Sequence, residues 1–312
     1  MDRSKSAVAS ECAHDATELV ASCEEVAQEI TLRREFFLSR LDGPVDERDL
    51  RDLTEMTTND GAAIWRCAAC DILVREDPNR TPTRFACDEY DERSLRTLHD
   101  LHVTTFAAKE NIRALLPAGA RVLEIGSYVG GFLEAARRWG WSAIGVDIGR
   151  DTADFARRNG LEVTTERFER CDFAGESFDA VFIWNCFEQM PNPIEVLDRV
   201  HAISKRNAPL VLYVPDGAVY SAAQRSFAQG EPRAALSPIV QQLAYNNFLG
   251  FPHHFGYSEL SLRKTVESCG FTHVKSTNVP AIRPLRDRLT QCARDEEERV
   301  APAWIEAIFR RD

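Results

Sequence analysis

The most chemically loaded stretch of this sequence is RVLEIGSYVGGFLEAARRWGWSAIGVDIG. Glu124 precedes a turn containing Gly126, Ser127, Gly130 and Gly131, and Asp147 stands 21 residues after Gly126. Glycines at a strand-to-helix turn let a ligand touch the backbone directly, and a carboxylate about 20 residues further on can accept both hydroxyls of a ribose. The ligand implied here carries a ribose. Further along, FPHHFGYSEL brings His253, His254 and Tyr257 close together. They are the candidate general base or acceptor-orienting groups, because imidazole exchanges protons near neutral pH.

The kind of ribose ligand follows from two side chains. A dinucleotide fingerprint needs a second glycine two residues after the first, so that the backbone can approach a pyrophosphate. Tyr128 occupies that place, and Glu124 puts negative charge where the pyrophosphate would sit. Both features disfavour NAD and FAD. A cofactor with a cationic centre and an amino acid tail suits Glu124 and needs no phosphate cradle, and S-adenosylmethionine is such a molecule.

The segment from about residue 120 to 276 resembles the class I S-adenosylmethionine-dependent methyltransferases of small-molecule type. Their first-strand motif, acidic-x-Gly-x-Gly-x-Gly, reads here Glu124, Gly126, Tyr128, Gly130, with the middle glycine replaced. SFDAVFIWNCFEQMPNPIEVLDRV resembles the family's fourth-strand block, with Glu188 and Gln189 where Glu-His is common. YSELSLRKTVESCGF resembles its penultimate helix. The resemblance implies that Glu124 faces the methionine amino group and that Gly126, Ser127 and Gly130 line the methionine and ribose. It implies that Asp147 binds the ribose hydroxyls and Ile148 covers the adenine. Phe168 and Glu169 would meet the adenine ring and edge, and Asn185 would sit near the methyl donor.

These residues need a scaffold, and the texture after Ala120 supplies one. Apolar strand-sized runs at 121–126, 142–147, 161–166, 178–184 and 209–215 alternate with helical patterns at 130–139, 151–159 and 193–205. That alternation predicts a Rossmann-like, mostly parallel seven-stranded α/β sheet with helices on both faces. A long excursion, 216–257, would cover the strand ends; a helix over 258–269 and a strand GFTHVKST follow, and APAWIEAIFRR reads as a last strand. Residues 1–117 form a helical and loop-rich N-terminal region and 118–312 the cofactor-binding domain. In the former, apolar spacing and an Asp15–Glu18 capping box predict a helix from Asp15 to about Leu41, and another runs from about Glu92 to Leu116. This segment either closes the site or forms a homodimer.

Charge and cysteine content bound the remaining classes. The 312 residues hold 38 Lys plus Arg against 49 Asp plus Glu, a net charge of −11, with no dominant basic cluster to hold phosphates. Neither nucleic acid nor membrane is an expected partner, and no apolar run reaches the roughly 18 residues of a span. Nine cysteines without an export signal read as reduced thiols of a cytoplasmic protein. Cys67 and Cys70 form a CxxC that resembles the second half of a zinc knuckle. Cys87 and an HxxH at His99 and His102 could complete a ligand set, but there is no second CxxC, so a degenerate knuckle without metal is the expectation. The function this supports is methyl transfer to oxygen or carbon of a small organic acceptor, such as a sugar or a natural-product intermediate in secondary metabolism. The alternative is a catalytically inactive binding or regulatory partner that keeps the cofactor fold.

Overall fold

The computed structural model describes residues 16–39, 61–76, 90–246 apart from 174 and 176, 248–249, 253–279 and 304–312. Cys87 and the first fifteen residues lie outside that set. The chain opens with β1 (Ala16–Ala21) and α1 (Cys23–Leu38), then the short strands β2 (Ile64–Cys67) and β3 (Leu73–Arg75). The helix predicted from Asp15 therefore starts later. Residues 16–21 pair antiparallel with β2, and the helix begins after Ser22. Ser22 Oγ accepts from the Glu25 N–H at 3.3 Å while the Ser22 N–H donates back to Glu25 Oε2 at 2.9 Å. That reciprocal cap satisfies two orphan donors of the first turn.

Next come α2 (Glu92–Ala107) and α3 (Glu110–Arg113), where a single helix to Leu116 was expected. Asp91 caps α2 by accepting from the Ser94 N–H at 2.7 Å. The main sheet then forms from β4 (Arg121–Ile125), β5 (Ser142–Asp147), β6 (Glu162–Thr165), β7 (Ala180–Trp184) and β8 (Pro209–Pro215), with α4 (Gly131–Arg138), α5 (Arg150–Arg158) and α6 (Pro193–Ile203) between them. Strands β7 and β8 are buried along their whole length, as expected of near-continuous apolar runs covered on both faces. The excursion holds α7 (Gly217–Ala228), α8 (Pro238–Asn246) and the two-residue β9 (Phe255–Gly256). Helix α9 (Glu259–Glu267), β10 (Phe271–Val279) and β11 (Trp304–Arg311) close the chain.

The seven strands lie in the order β10-β11-β8-β7-β4-β5-β6. Strand β11 runs antiparallel to both neighbours and the other six share one direction. This is the Rossmann-like architecture predicted, and the segment 304–311 is a strand buried between two others. A second sheet, β1-β2-β3-β9, joins the N-terminal strands to the end of the excursion. Its β9 flank reaches the strand ends of the main sheet. The His254 N–H donates to the Glu188 carbonyl at 2.9 Å, and the Gly217 N–H to the Tyr257 carbonyl at 2.7 Å.

Close packing at Gly131 and a charged pair at Lys109 help to fasten the N-terminal region to the sheet. A Cβ on Gly131 would stand 2.2 Å from His102 Cβ, so only glycine lets α2 cross the start of α4 this closely. Lys109 Nζ donates to Glu306 Oε2 at 2.5 Å, and Asn111 Nδ2 to Glu306 Oε1 at 2.8 Å, tying the segment after α2 to β11. No helix among the described residues is long and apolar enough to cross a membrane.

Candidate cofactor and acceptor site

The turn after β4 is built around Asp147. Gly126, at φ +79°, and Ser127 donate their N–H groups to the Val146 carbonyl at 2.8 and 3.1 Å. Tyr128 follows at φ +48° and donates its N–H to Asp147 Oδ2 at 2.7 Å, while the Gly149 N–H reaches Oδ1 at 2.7 Å. The carboxylate thus fixes the loops after β4 and β5 and keeps further lone pairs for a ligand's hydroxyls. Burial raises its pKa, opposed by those backbone donors. Gly130 then begins α4 at φ +75°; a Cβ there would lie 2.5 Å from Leu161 Cδ1. The Tyr128 ring lies 5.8 Å from the ring of His102 on α2 and 6.1 Å from that of Tyr90, so it packs on the N-terminal segment.

Glu124 Oε2, Ser127 Oγ and Asn185 Oδ1 are buried at the strand ends by this turn without a hydrogen-bond partner, as is His102 Nε2 on α2 beside it. Glu124 is 3 % exposed on β4, and no described residue forms an ion pair with it. Burial, and then the Asp147 charge, push its carboxyl well above the usual range. Asn185 ends β7 at φ +51°, its N–H bonded to the Tyr213 carbonyl at 2.7 Å. Ile148, beside Asp147, is 44 % exposed. Phe168 and Glu169 lie in a short 3-10 turn after β6. The Phe168 ring is buried in the core, 6.1 Å from the Phe173 ring and under the Arg199 guanidinium at 5.6 Å, while Glu169 is half-buried.

The loops after β4 and β7 meet at Cys186. A Cβ on Gly126 would stand 2.6 Å from its Sγ. Burial and then the neighbouring carboxyl of Glu188 drive this thiol well above its ordinary pKa, so it stays protonated. Two residues on, Glu188 is fully buried, with Oε1 3.4 Å from His253 Nε2. The structure brings His253, His254 and Tyr257 together beside Glu188, with His253 against its carboxyl. His254 holds its carbonyl, Tyr257 stacks on Phe187 at 5.3 Å between centroids, and all three side chains are buried. Sequence reasoning assigned Glu188 no chemical role. Its one signal is an acidic residue between Phe187 and Met190 just past a strand's carboxyl end, where burial is the rule.

Cys67 and Cys70 lie in the tight turn between β2 and β3, closed by the Asp71 N–H to the Cys67 carbonyl at 2.9 Å, and both are buried. Lys264 Nζ on α9 donates to the Ala69 carbonyl at 2.9 Å and docks this turn on the main domain. His99 and His102 lie instead on α2; His99 Nδ1 is 2.8 Å from the Val129 carbonyl beside the cofactor turn. Among the described residues no group of three or more His, Cys, Asp or Glu could hold a metal ion.

This sheet order, with the turn built around Asp147 after β4, defines a Rossmann-like α/β protein. A family model described as a methyltransferase domain matches residues 97–276, more than half of the chain, and the chain belongs to that family. The match begins inside α2. Among curated proteins, the ubiquinone biosynthesis O-methyltransferase of Hahella chejuensis is 33% identical over 105 residues, 31% of this chain and 44% of that protein. An uncharacterized protein of Methanocaldococcus jannaschii is 26% identical over 129 residues, 41% of this chain and 60% of that one. The chain thus spans about half the length of the curated relatives it matches. A solved S-adenosylmethionine dependent methyltransferase from Mesorhizobium loti superposes with a TM-score of 0.47 at 18% identity, covering 66% of this chain and 98% of that chain.

The residues present fit S-adenosylmethionine. Its ammonium group would donate to the buried oxygens of Glu124, Ser127 and Asn185, which have no hydrogen-bond partner, and would set its charge against the Glu124 carboxyl.

Proposed function

We propose that this protein transfers a methyl group from S-adenosylmethionine to oxygen or carbon of a small organic acceptor. The observation that carries the reading is the set of unpartnered buried oxygens on Glu124, Ser127 and Asn185, grouped with the Asp147 carboxylate at the carboxyl ends of β4, β5 and β7. Glu124, Ser127 and Asn185 would hold the amino acid end, Asp147 the ribose, and Ile148 would cover the adenine with its exposed side chain. Phe168 takes no part in covering the base on this reading, because its ring is committed to the core.

When bound, the cofactor supplies an electrophilic methyl carbon on a positively charged sulfur. The protein's own task is to hold a nucleophile in line at about 3 Å and to keep water out. The small sheet does the second, since its β9 flank is bonded to the loops after β7 and β8. The small-molecule class is supported by the negative net charge and by this roof of β1-β2-β3-β9 and the excursion over the strand ends.

The test is incubation of the purified protein with methyl-labelled S-adenosylmethionine and a panel of catechol, 4-hydroxybenzoate, methyl glucoside and other small hydroxylated compounds. Label is expected in one or more of them. Transfer only to protein or RNA overturns the acceptor class, and cofactor binding without any transfer leaves an inert binding protein.

A further inference from the structure

Two polar atoms lie deep at the roof of the site with no hydrogen-bond partner, Glu188 Oε2 and the Tyr257 hydroxyl, each on a fully buried side chain. They come from different elements, the 3-10 turn after β7 and the segment after β9, and Tyr257 stacks on Phe187, the residue before Glu188. Leaving two such groups unsatisfied is costly unless a ligand completes them. A ligand that fits the ionised form of Glu188 must accept from the phenol and donate to the carboxylate. A hydroxyl does both, whereas a ketone cannot donate and an ammonium cannot accept.

Glu188 also lies on the way from cofactor to roof. Two residues before it, the Cys186 thiol abuts Gly126 of the cofactor turn. Its other carboxyl oxygen, Oε1, accepts from Gln189 Nε2 at 3.4 Å and stands 3.4 Å from His253 Nε2. The titratable groups packed around this centre are His253 and His254 before β9, Tyr257 after it, Cys186, Cys70 between β2 and β3, and Cys269 after α9. Arg75 of β3 and Arg33 of α1 act on His253.

We propose that Glu188 is the proton acceptor of the reaction and that, with Tyr257, it forms the subsite for the hydroxyl of an alcohol or phenol acceptor. The inference rests on the methyltransferase reading above. His253 is then a positioning residue: its imidazole, pushed down to about 3 by burial and then by Arg75 and Arg33, stays neutral and holds the carboxyl in place. Glu188, pushed up to about 8 by burial, is a stronger base than either an ordinary carboxylate or this imidazole. In the step, the acceptor's O–H bond breaks and its proton passes to Glu188 Oε2. The oxygen keeps the electron pair and bonds the methyl carbon, and the carbon–sulfur pair returns to sulfur. Glu188 releases its proton to solvent as product leaves.

The experiment compares wild type, Glu188→Gln, Glu188→Asp, His253→Gln and Tyr257→Phe, using as probe the panel compound that wild type methylates best. In Glu188→Gln, kcat should fall about 100-fold or more while the S-adenosylhomocysteine Kd is unchanged. Wild-type kcat/KM should rise with pH through about 8, and this limb should vanish in Glu188→Gln, persist at lower rate in Glu188→Asp and shift in His253→Gln. Tyr257→Phe should raise KM more than it lowers kcat. Independently of turnover, infrared difference spectra should show a neutral carboxyl band at pH about 6.5 that fades by about 9.5 and is absent from Glu188→Gln. Full activity of Glu188→Gln, a flat pH profile or the absence of that band overturns the proposal. If S-adenosylhomocysteine fails to bind wild type, or no panel compound is methylated, the broader reading fails instead.

Discussion

His253 Nε2 and Glu188 Oε1 lie 3.4 Å apart with both side chains fully buried, yet they are not an ion pair. Burial moves the two groups in opposite senses, the carboxyl up to about 8 and the imidazole down to about 3, so both are neutral at neutral pH. The unfolded chain ionises Glu188 above its ordinary 4.5, where the folded protein still holds the proton. Stability is therefore lost as pH rises from about 4.5 towards 8. His253 acts on the other side: the unfolded imidazole takes a proton below 6.5 that the folded one refuses, so stability is lost as pH falls from there towards 3. Urea unfolding at a series of pH values should show Glu188→Gln flattening the alkaline decline and leaving the acid one. A Glu188→Gln curve parallel to wild type from pH about 5 to 8 would show that Glu188 ionises normally.

Glu124 makes a second pH-dependent prediction, at the cofactor. Burial and then Asp147 push its carboxyl well above the usual carboxylate range, and an incoming ammonium favours the ionised form. Binding of S-adenosylhomocysteine should therefore be coupled to loss of a proton, visible in calorimetry as a dependence on buffer ionisation heat, and affinity should climb with pH. Glu124→Gln should abolish the proton release and weaken binding about 10- to 100-fold, the size of a charged hydrogen bond. 5′-Methylthioadenosine, which lacks the amino acid tail, should bind both proteins alike. Equal weakening of both ligands would place Glu124 in the loop's architecture and not at the ammonium.

Gly131 tests how the N-terminal region is joined to the sheet. Gly131→Ala puts a methyl 2.2 Å from His102 Cβ and 3.1 Å from the Val103 backbone nitrogen, neither of which can yield without moving α2. Overpacking of this kind costs about 1–3 kcal/mol. A thermal midpoint unchanged from wild type would mean that α2 is free to lift off α4.

Much of this architecture was legible because β4, β7 and β8 are largely apolar runs bounded by glycine or polar turns, and Asp147 falls at the tip of β5. The first strand was misread because Leu19, Val20, Cys23 and Val26 satisfy helical spacing across a boundary. The deciding contacts are the β2 partner some 45 residues away and the Ser22 cap, and periodicity sees neither. Glu188 was passed over for a similar reason. A carboxyl in a polar-looking pair gives no local sign that β9 and the excursion will bury it against His253, and that burial is what changes its chemistry. His253 and His254 were read as groups on a loop over the strand ends; the small sheet that buries them, built from β1 to β3 and from β9 about 180 residues later, could not be read from that loop.

Lys109 and Glu306 form the other tie between the N-terminal region and the sheet, at 2.5 Å, with Glu306 buried on β11 and the ammonium 5.5 Å from the Trp184 ring centroid. Removing the cation strands a buried carboxylate whose remaining hydrogen bond among the described residues comes from Asn111. Lys109→Met should lower stability by about 3 kcal/mol, the cost of breaking a buried pair from one side. Adding Glu306→Gln removes the uncompensated charge, and the double variant should regain at least half of the loss in urea unfolding. If the two substitutions instead add independently, the pair is not coupled, and α3 is held to β11 by packing alone.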